Sequence, residues 1–147
     1  MSLNQISVFL ENKPGRLQAL TDILAGKNVN MRALSLAEAS DFGIVRIIAD
    51  DLDAASAVLK DEGYIYTITK VVGVAIPDEP GGLNNVLKIL SEGGVNVEYM
   101  YAFLARKSTD HAYMIFHVQD AEKAAAALEK KGIACVGQAE LAGQHLL

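Results

Sequence analysis

Apolar positions along the chain fall into two kinds of pattern, and the order of the patterns is the same in both halves. ISVFL (6–10) reads as a strand that ends at the turn NKPG. Leu17, Leu20, Ile23 and Leu24 then recur at helical spacing, and that run stops near Gly26. NMRALSLAEA (30–39) and FGIVRIIA (42–49) are rich in β-branched and apolar residues around Ser40-Asp41, which predicts a hairpin. Asp51 is placed to cap a second helix carrying Leu52, Ala55 and Leu59 inward and ending at Gly63. YIYTITKVV (64–72) alternates as a last strand. The second half predicts strands at VVGVAI (71–76), VNVEYMYAFLA (95–105), HAYMIFHV (111–118) and GIACVGQAEL (132–141). Its first helix carries Leu83, Val86, Leu87 and Leu90, and its second Ala121, Ala124, Ala125 and Leu128.

The two halves also match residue by residue. At an offset of 66, Pro14 falls on Pro80, Gly15 on Gly81, Leu17 on Leu83, Ile23 on Ile89, Val29 on Val95 and Asn30 on Asn96. Later the offset is 69, with Asp51 on Asp120, Leu59 on Leu128 and Gly63 on Gly132. The three extra residues fall in ARKSTDH (105–111), a charged, turn-like segment where an insertion costs little. A repeat of this length is a small domain, expected at 1–70 and again at 71–147. No Pro-, Ser- or Gly-rich linker separates the two.

The order β-α-β-β-α-β with right-handed crossovers predicts an α+β fold of two ferredoxin-like units. Each has an antiparallel sheet with both helices on one face, strands one and three central and strands two and four at the edges. Helices cover only one face of each third strand. Its other face, with Ile44, Arg46 and Ile48 or Tyr113, Ile115 and His117, is apolar enough to suggest a partner surface. Tyr99, Tyr101 and Phe103 alternate on an edge strand, which reads either as an edge that invites pairing or as buried core. These features and the small size of each unit predict a homodimer.

Composition narrows the function classes. Half the residues are apolar, about a fifth are charged, and no apolar run reaches membrane-spanning length. A net charge of −5 disfavours nucleic acid. The N-terminus has no signal-peptide pattern, and a single cysteine, Cys135, fits a reducing compartment, so a cytoplasmic protein with no membrane partner is expected. His111, His117 and His145 share no metal-ligand spacing. Cys135 has no nucleophile motif around it, and the glycines at 81 and 82 lack the Lys-Ser/Thr of a phosphate loop. No metal, no cofactor and no catalytic constellation are expected, so the chain does not read as an enzyme.

The repeated Pro-Gly turns carry the candidate chemistry. Pro14 and Pro80 pre-set φ at the helix start, and Gly15, Gly81 and Gly82 lack the Cβ that would keep a ligand from the backbone. The first N–H groups of a helix lie unpaired at the positive end of its dipole, which suits a carboxylate. Asn12, Asp78, Asn30 and Asn96 are acceptors for an ammonium. A Pro-Gly pair is also an ordinary turn device, and Asn30 or Asn96 an ordinary strand cap.

A strand ending in Asn/Asp-x-Pro-Gly-x-Leu with a later Gly-x-Asn-Val resembles the ACT domain, a small-ligand regulatory module. AIPDEPGGLNNVLKILSEGGVNVEYMYAF (75–103) carries the fuller pattern, and the whole chain resembles short stand-alone proteins made of two ACT domains. The first copy departs from it: Asn28 replaces the turn glycine, Asn12 stands where the second has Asp78, and Arg16 where it has Gly82. The two sites are therefore expected to be inequivalent. The resemblance implies an amino-acid sensor with a free amino acid as ligand at interfaces between ACT domains. The site would draw on Asn12, Pro14, Gly15, Arg16 and Leu17, or Asp78, Pro80, Gly81, Gly82 and Leu83. Second-strand positions Asn30 and Met31, or Asn96 and Val97, would complete it from the neighbouring domain. A regulated protein partner is also implied. The alternative is a regulatory subunit or interaction module without a ligand site of its own.

Overall fold

The computed structural model describes residues 1–103 and 111–143. The insertion at 105–111 lies outside these residues apart from His111, as do His145 and the strand expected to continue through 104 and 105. The chain divides into two compact units, one spanning Asn4–Thr69 and the other combining Met1–Leu3 with the chain from Lys70 onward.

The first unit contains β1 (Leu3–Glu11, whose first residue belongs to the other unit), α1 (Arg16–Gly26), β2 (Met31–Ala39), β3 (Phe42–Ala49) and α2 (Leu52–Asp61). Its last strand is the start of β4 (Tyr66–Pro77). The strand order is β2-β3-β1-β4, with β1 and β3 central. The antiparallel register sets Ile6 opposite Ile47 and Val8 opposite Val45. These four residues and Leu10 lie on the face covered by Leu20, Leu24, Ala55, Val58 and Leu59, and all are buried. Full burial of one such aliphatic side chain contributes about 1.5–3 kcal/mol, so the helical spacing in the sequence translates directly into the core.

The second unit repeats the plan with the rest of β4, α3 (Gly82–Glu92), β5 (Val97–Phe103), β6 (His111–Val118), α4 (Ala121–Lys130) and β7 (Cys135–Val136). Its order is β5-β6-β4-β7. Val72, Val74, Ile76, Phe116 and Val118 meet Val86, Leu90, Ala124, Ala125 and Leu128 in a second buried core. Asp51 and Asp120 cap α2 and α4 alike, accepting from the N–H of Ala54 at 2.9 Å and of Lys123 at 3.0 Å.

Two expectations need correction. The stretch 132–141 is not one long strand: β7 has two residues, and Gln138–Gly143 forms a short helix, α5. The strands expected at 64–72 and 71–76 are a single strand of 12 residues, β4. On the second face of the third strands, Ile48 and Ile115 are buried, whereas Ile44, Arg46, Tyr113 and His117 are half-buried.

Candidate functional site

The two Pro-Gly turns are built alike. After β1, the Lys13 N–H donates to Glu11 O at 2.9 Å, and the Arg16 N–H to Lys13 O at 3.3 Å. After β4, the Glu79 N–H donates to Pro77 O at 2.9 Å, and the Gly82 N–H to Glu79 O at 3.1 Å. Gly15 (φ 83°) and Gly81 (φ 86°) occupy the N-cap position in the left-handed region, which a glycine enters at no steric cost. A Cβ at either would meet nothing within 4 Å, so the space above both is open. The first helical bonds run from Ala19 N–H to Gly15 O and from Asn85 N–H to Gly81 O. Neither α1 nor α3 has a side-chain cap, in contrast to α2 and α4. The amides of Leu17 and Gln18, and of Leu83 and Asn84, are thus the ones a helix start leaves over for an outside acceptor.

Gly82 has a different reason to be glycine. A Cβ there would stand 2.3 Å from the Pro77 carbonyl oxygen and 3.0 Å from Ile76 Cγ2. The residue is buried, and its missing side chain lets α3 start against the end of β4. Its N–H donates within the turn, and its missing side chain serves packing.

Charge separates the two turns. Around the first, Glu11 lies 2.9 Å from Lys13 Nζ and 3.6 Å from Arg16 Nη2. The hydrogen bond from Lys13, then the charge of Arg16, holds the Glu11 carboxyl below the usual range. The second turn has Asp78 and Glu79 and no basic residue between Pro77 and Leu87.

The predicted acceptors do not gather within a unit. Asn12 donates from Nδ2 to Ser40 O at 3.2 Å, tying the end of β1 to the β2–β3 hairpin. Asn30 donates from Nδ2 to Asp50 Oδ2 at 2.8 Å at the other end of β2. A strand of nine residues separates these ends by roughly 30 Å, so Asn12 and Asn30 of one unit cannot hold one small ligand. Met31 and Val97 open the second strands and pack partly into the two cores. Asn96 lines a small hollow of about 140 Å³ with Glu98, Gln119, Asp120 and Lys123, away from the Pro80-Gly81 turn. Leu17 packs against the first core, whereas Leu83 is exposed.

Beside the first turn runs a groove of about 320 Å³ that the residue pattern did not single out. Arg16 lines it together with Phe9, Glu11, Glu62, Tyr64 and Ile65. The signal was in the repeat: Phe9 aligns with Ala75, Glu62 with Lys131 and Ile65 with Ala134.

Among the described residues, no group of three His, Cys, Asp or Glu side chains could hold a metal ion. His117 stacks on Tyr99 with ring centroids 4.7 Å apart, and its Nδ1 is 2.6 Å from Glu98 Oε2. Cys135 is buried against α4, its Sγ 3.9 Å from Ala125 O. No described helix is long and apolar enough to cross a membrane.

Two ferredoxin-like units in tandem, each with a left-handed glycine ahead of an uncapped first helix, define a class of small duplicated α+β protein. The chain belongs to the ACT domain pair family, whose profile matches residues 1–144. It is similar to the crystal structure of protein BT0572 from Bacteroides thetaiotaomicron, with 40% identity, a TM-score of 0.88, and 97% of this chain and 96% of that one covered. At 15% identity it shares the fold of the regulatory subunit of aspartate kinase from Thermus thermophilus in its ligand-free form (TM-score 0.61, 86% and 91% covered). It also shares the fold of aspartate kinase from Synechocystis at 21% identity (TM-score 0.55), covering 88% of this chain and 26% of that one. No curated protein matches the sequence.

Proposed function

We propose that this protein is a non-catalytic regulator of the cytoplasm that binds a free amino acid at the Pro-Gly turns, where ACT domains meet. The observation that carries the reading is the repeated helix start behind Gly15 and Gly81, uncapped and open above the glycine, in a chain of the ACT domain pair family. Backbone amides at the positive end of a helix suit an α-carboxylate. Second-strand residues of an adjoining ACT domain would take the α-ammonium. Charge-assisted hydrogen bonds contribute about 1.5–3 kcal/mol each, so two or three of them, less ordering costs, give micromolar to millimolar affinity. Ligand binding would favour one packing of domains over another and so change affinity for a regulated protein. The fold shared with an aspartate kinase regulatory subunit supports a role of this kind.

A homodimer belongs to the same proposal. β2 is an edge strand that keeps Leu34 and Leu36 exposed, an arrangement suited to pairing with a second chain. Sedimentation showing only monomer at micromolar concentration would count against it. The central test is calorimetry against the common amino acids and their amides, with the recovered ligand checked by NMR. Binding of an acid but not its amide, with the ligand unchanged, is expected. Turnover would overturn the reading, and capture of a protein partner without any amino-acid binding would favour the interaction module.

A further inference from the structure

We infer that the groove beside the first Pro-Gly turn is a binding site for an amino acid with a large apolar side chain, one per chain. The inference rests on the amino-acid-binding reading above and adds the unit, the ligand class and the stoichiometry. The groove holds both kinds of lining that such a ligand needs. Phe9 is 40% exposed and Ile65 71% exposed, and both line it together with Tyr64. Large apolar side chains left in water beside one another, in a concave surface, mark a place where an apolar group is taken up.

The charges fit a zwitterion. Arg16 lines the groove with its Nη2 3.6 Å from Glu11, and an exposed guanidinium there suits a carboxylate. Glu62, the C-cap residue of α2, lines the same groove and offers an acceptor for an ammonium. The carboxylate at Arg16 would also lie at the start of α1, whose first helical residue Arg16 is.

The second unit provides the internal control. At the aligned positions it has Ala75 for Phe9, Gly82 for Arg16, Lys131 for Glu62 and Ala134 for Ile65. The aromatic floor, the cation and the acid are therefore all absent there. A Cβ at Gly82 would stand 2.3 Å from the Pro77 carbonyl oxygen, whereas the aligned Arg16 carries a full side chain that lines the groove. The two copies share a fold and a turn but differ in the groove, so the second-unit turn does not take this ligand.

The test is calorimetry with L-phenylalanine, L-leucine and L-serine on the full chain and on the variants Arg16→Gln, Ile65→Ser and Lys131→Gln. Ile65 and Arg16 are exposed, so their variants should fold, which circular dichroism checks. Phenylalanine or leucine should bind once per chain and more tightly than serine. Arg16→Gln should weaken binding about tenfold or more, and Ile65→Ser severalfold, while Lys131→Gln, at the second-unit position aligned with Glu62, leaves it unchanged. Two sites per chain, or apolar ligand binding indifferent to both Arg16→Gln and Ile65→Ser, would overturn the inference. Binding of serine alone would overturn it too but leave the amino-acid-binding reading standing. Binding of no amino acid would overturn both.

Discussion

Arg32 donates from Nε to Asp50 Oδ1 with both side chains withdrawn from water, 7% and 8% exposed, while Asn30 Nδ2 bonds the other carboxylate oxygen at 2.8 Å. Arg32 stands at an irregularity in the β2–β3 pairing, between Met31 and Ala33, which turns a charged residue inward. Removing one partner strands the other charge in the interior. Arg32→Ala or Asp50→Ala should each cost about 3–5 kcal/mol, whereas replacing both with Leu should cost far less than the sum. Urea denaturation of the two single variants and the double variant measures the coupling, and additive losses would refute it.

Two glycines should respond in opposite directions. Gly82→Ala drives a Cβ to 2.3 Å from a backbone carbonyl oxygen, which can move only with the strand, and should destabilise by about 1–3 kcal/mol or more. Gly26, at the end of α1, has nothing within 4 Å of an added Cβ and no positive φ. Gly26→Ala should therefore stabilise by about 0.4–1 kcal/mol through loss of unfolded-state freedom. Thermal melts of the two variants would rank them, and a loss of stability in Gly26→Ala would contradict the argument.

The aspartates at the two second-helix caps should be similar in worth. Asp51→Ala and Asp120→Ala each remove an acceptor for a helix-start amide, at 2.9 and 3.0 Å, and should cost about 0.5–2 kcal/mol. Asn in either place should restore most of the loss, because it keeps an oxygen at the same reach. A chemical denaturation series with Ala and Asn at both positions checks this.

Burial pushes the Cys135 thiol up to about 11 from the ordinary 9.0, with the negative charge of Glu129 adding to the effect. The folded state therefore holds its proton at a pH where the unfolded chain has released it. The stability this contributes is complete below pH 9 and is lost as the pH rises toward 11. The fall in denaturation midpoint between pH 9 and 11 should be shallower in Cys135→Ala than in the parent. At pH 8 the native thiol, with roughly a thousandth in the thiolate form, should react slowly with an aromatic disulfide reagent and rapidly once unfolded. Rapid reaction of the native protein would show that the thiol is neither buried nor raised.

Much of the architecture was legible in the chain. The helical spacing of Leu20 and Leu24, the alternation through Val45 and Ile47, and the caps Asp51 and Asp120 each follow from local geometry that a few neighbouring residues determine. The Pro-Gly turns belong with them, as does the non-glycine substitute Asn28, which adopts a φ of 57° where the second copy has Gly94 at 69°. The duplication made each of these readings twice over. Contacts between distant segments decided the rest. Whether residues after Val136 continue a strand depends on what β4 can pair, and its partner β7 stops after two residues. That Gly82 fills a packing role appears only when the Pro77 carbonyl is seen beside it. The burial of Ile48, Ile115 and the Arg32–Asp50 pair likewise depends on neighbours that no periodicity specifies. The groove at Phe9, Arg16 and Ile65 joins the end of β1, the start of α1 and the approach to β4, three segments whose meeting the chain order alone does not state. Local patterns are fixed by backbone geometry and solvent exclusion, but a site is a coincidence in space, and only the folded chain brings it about.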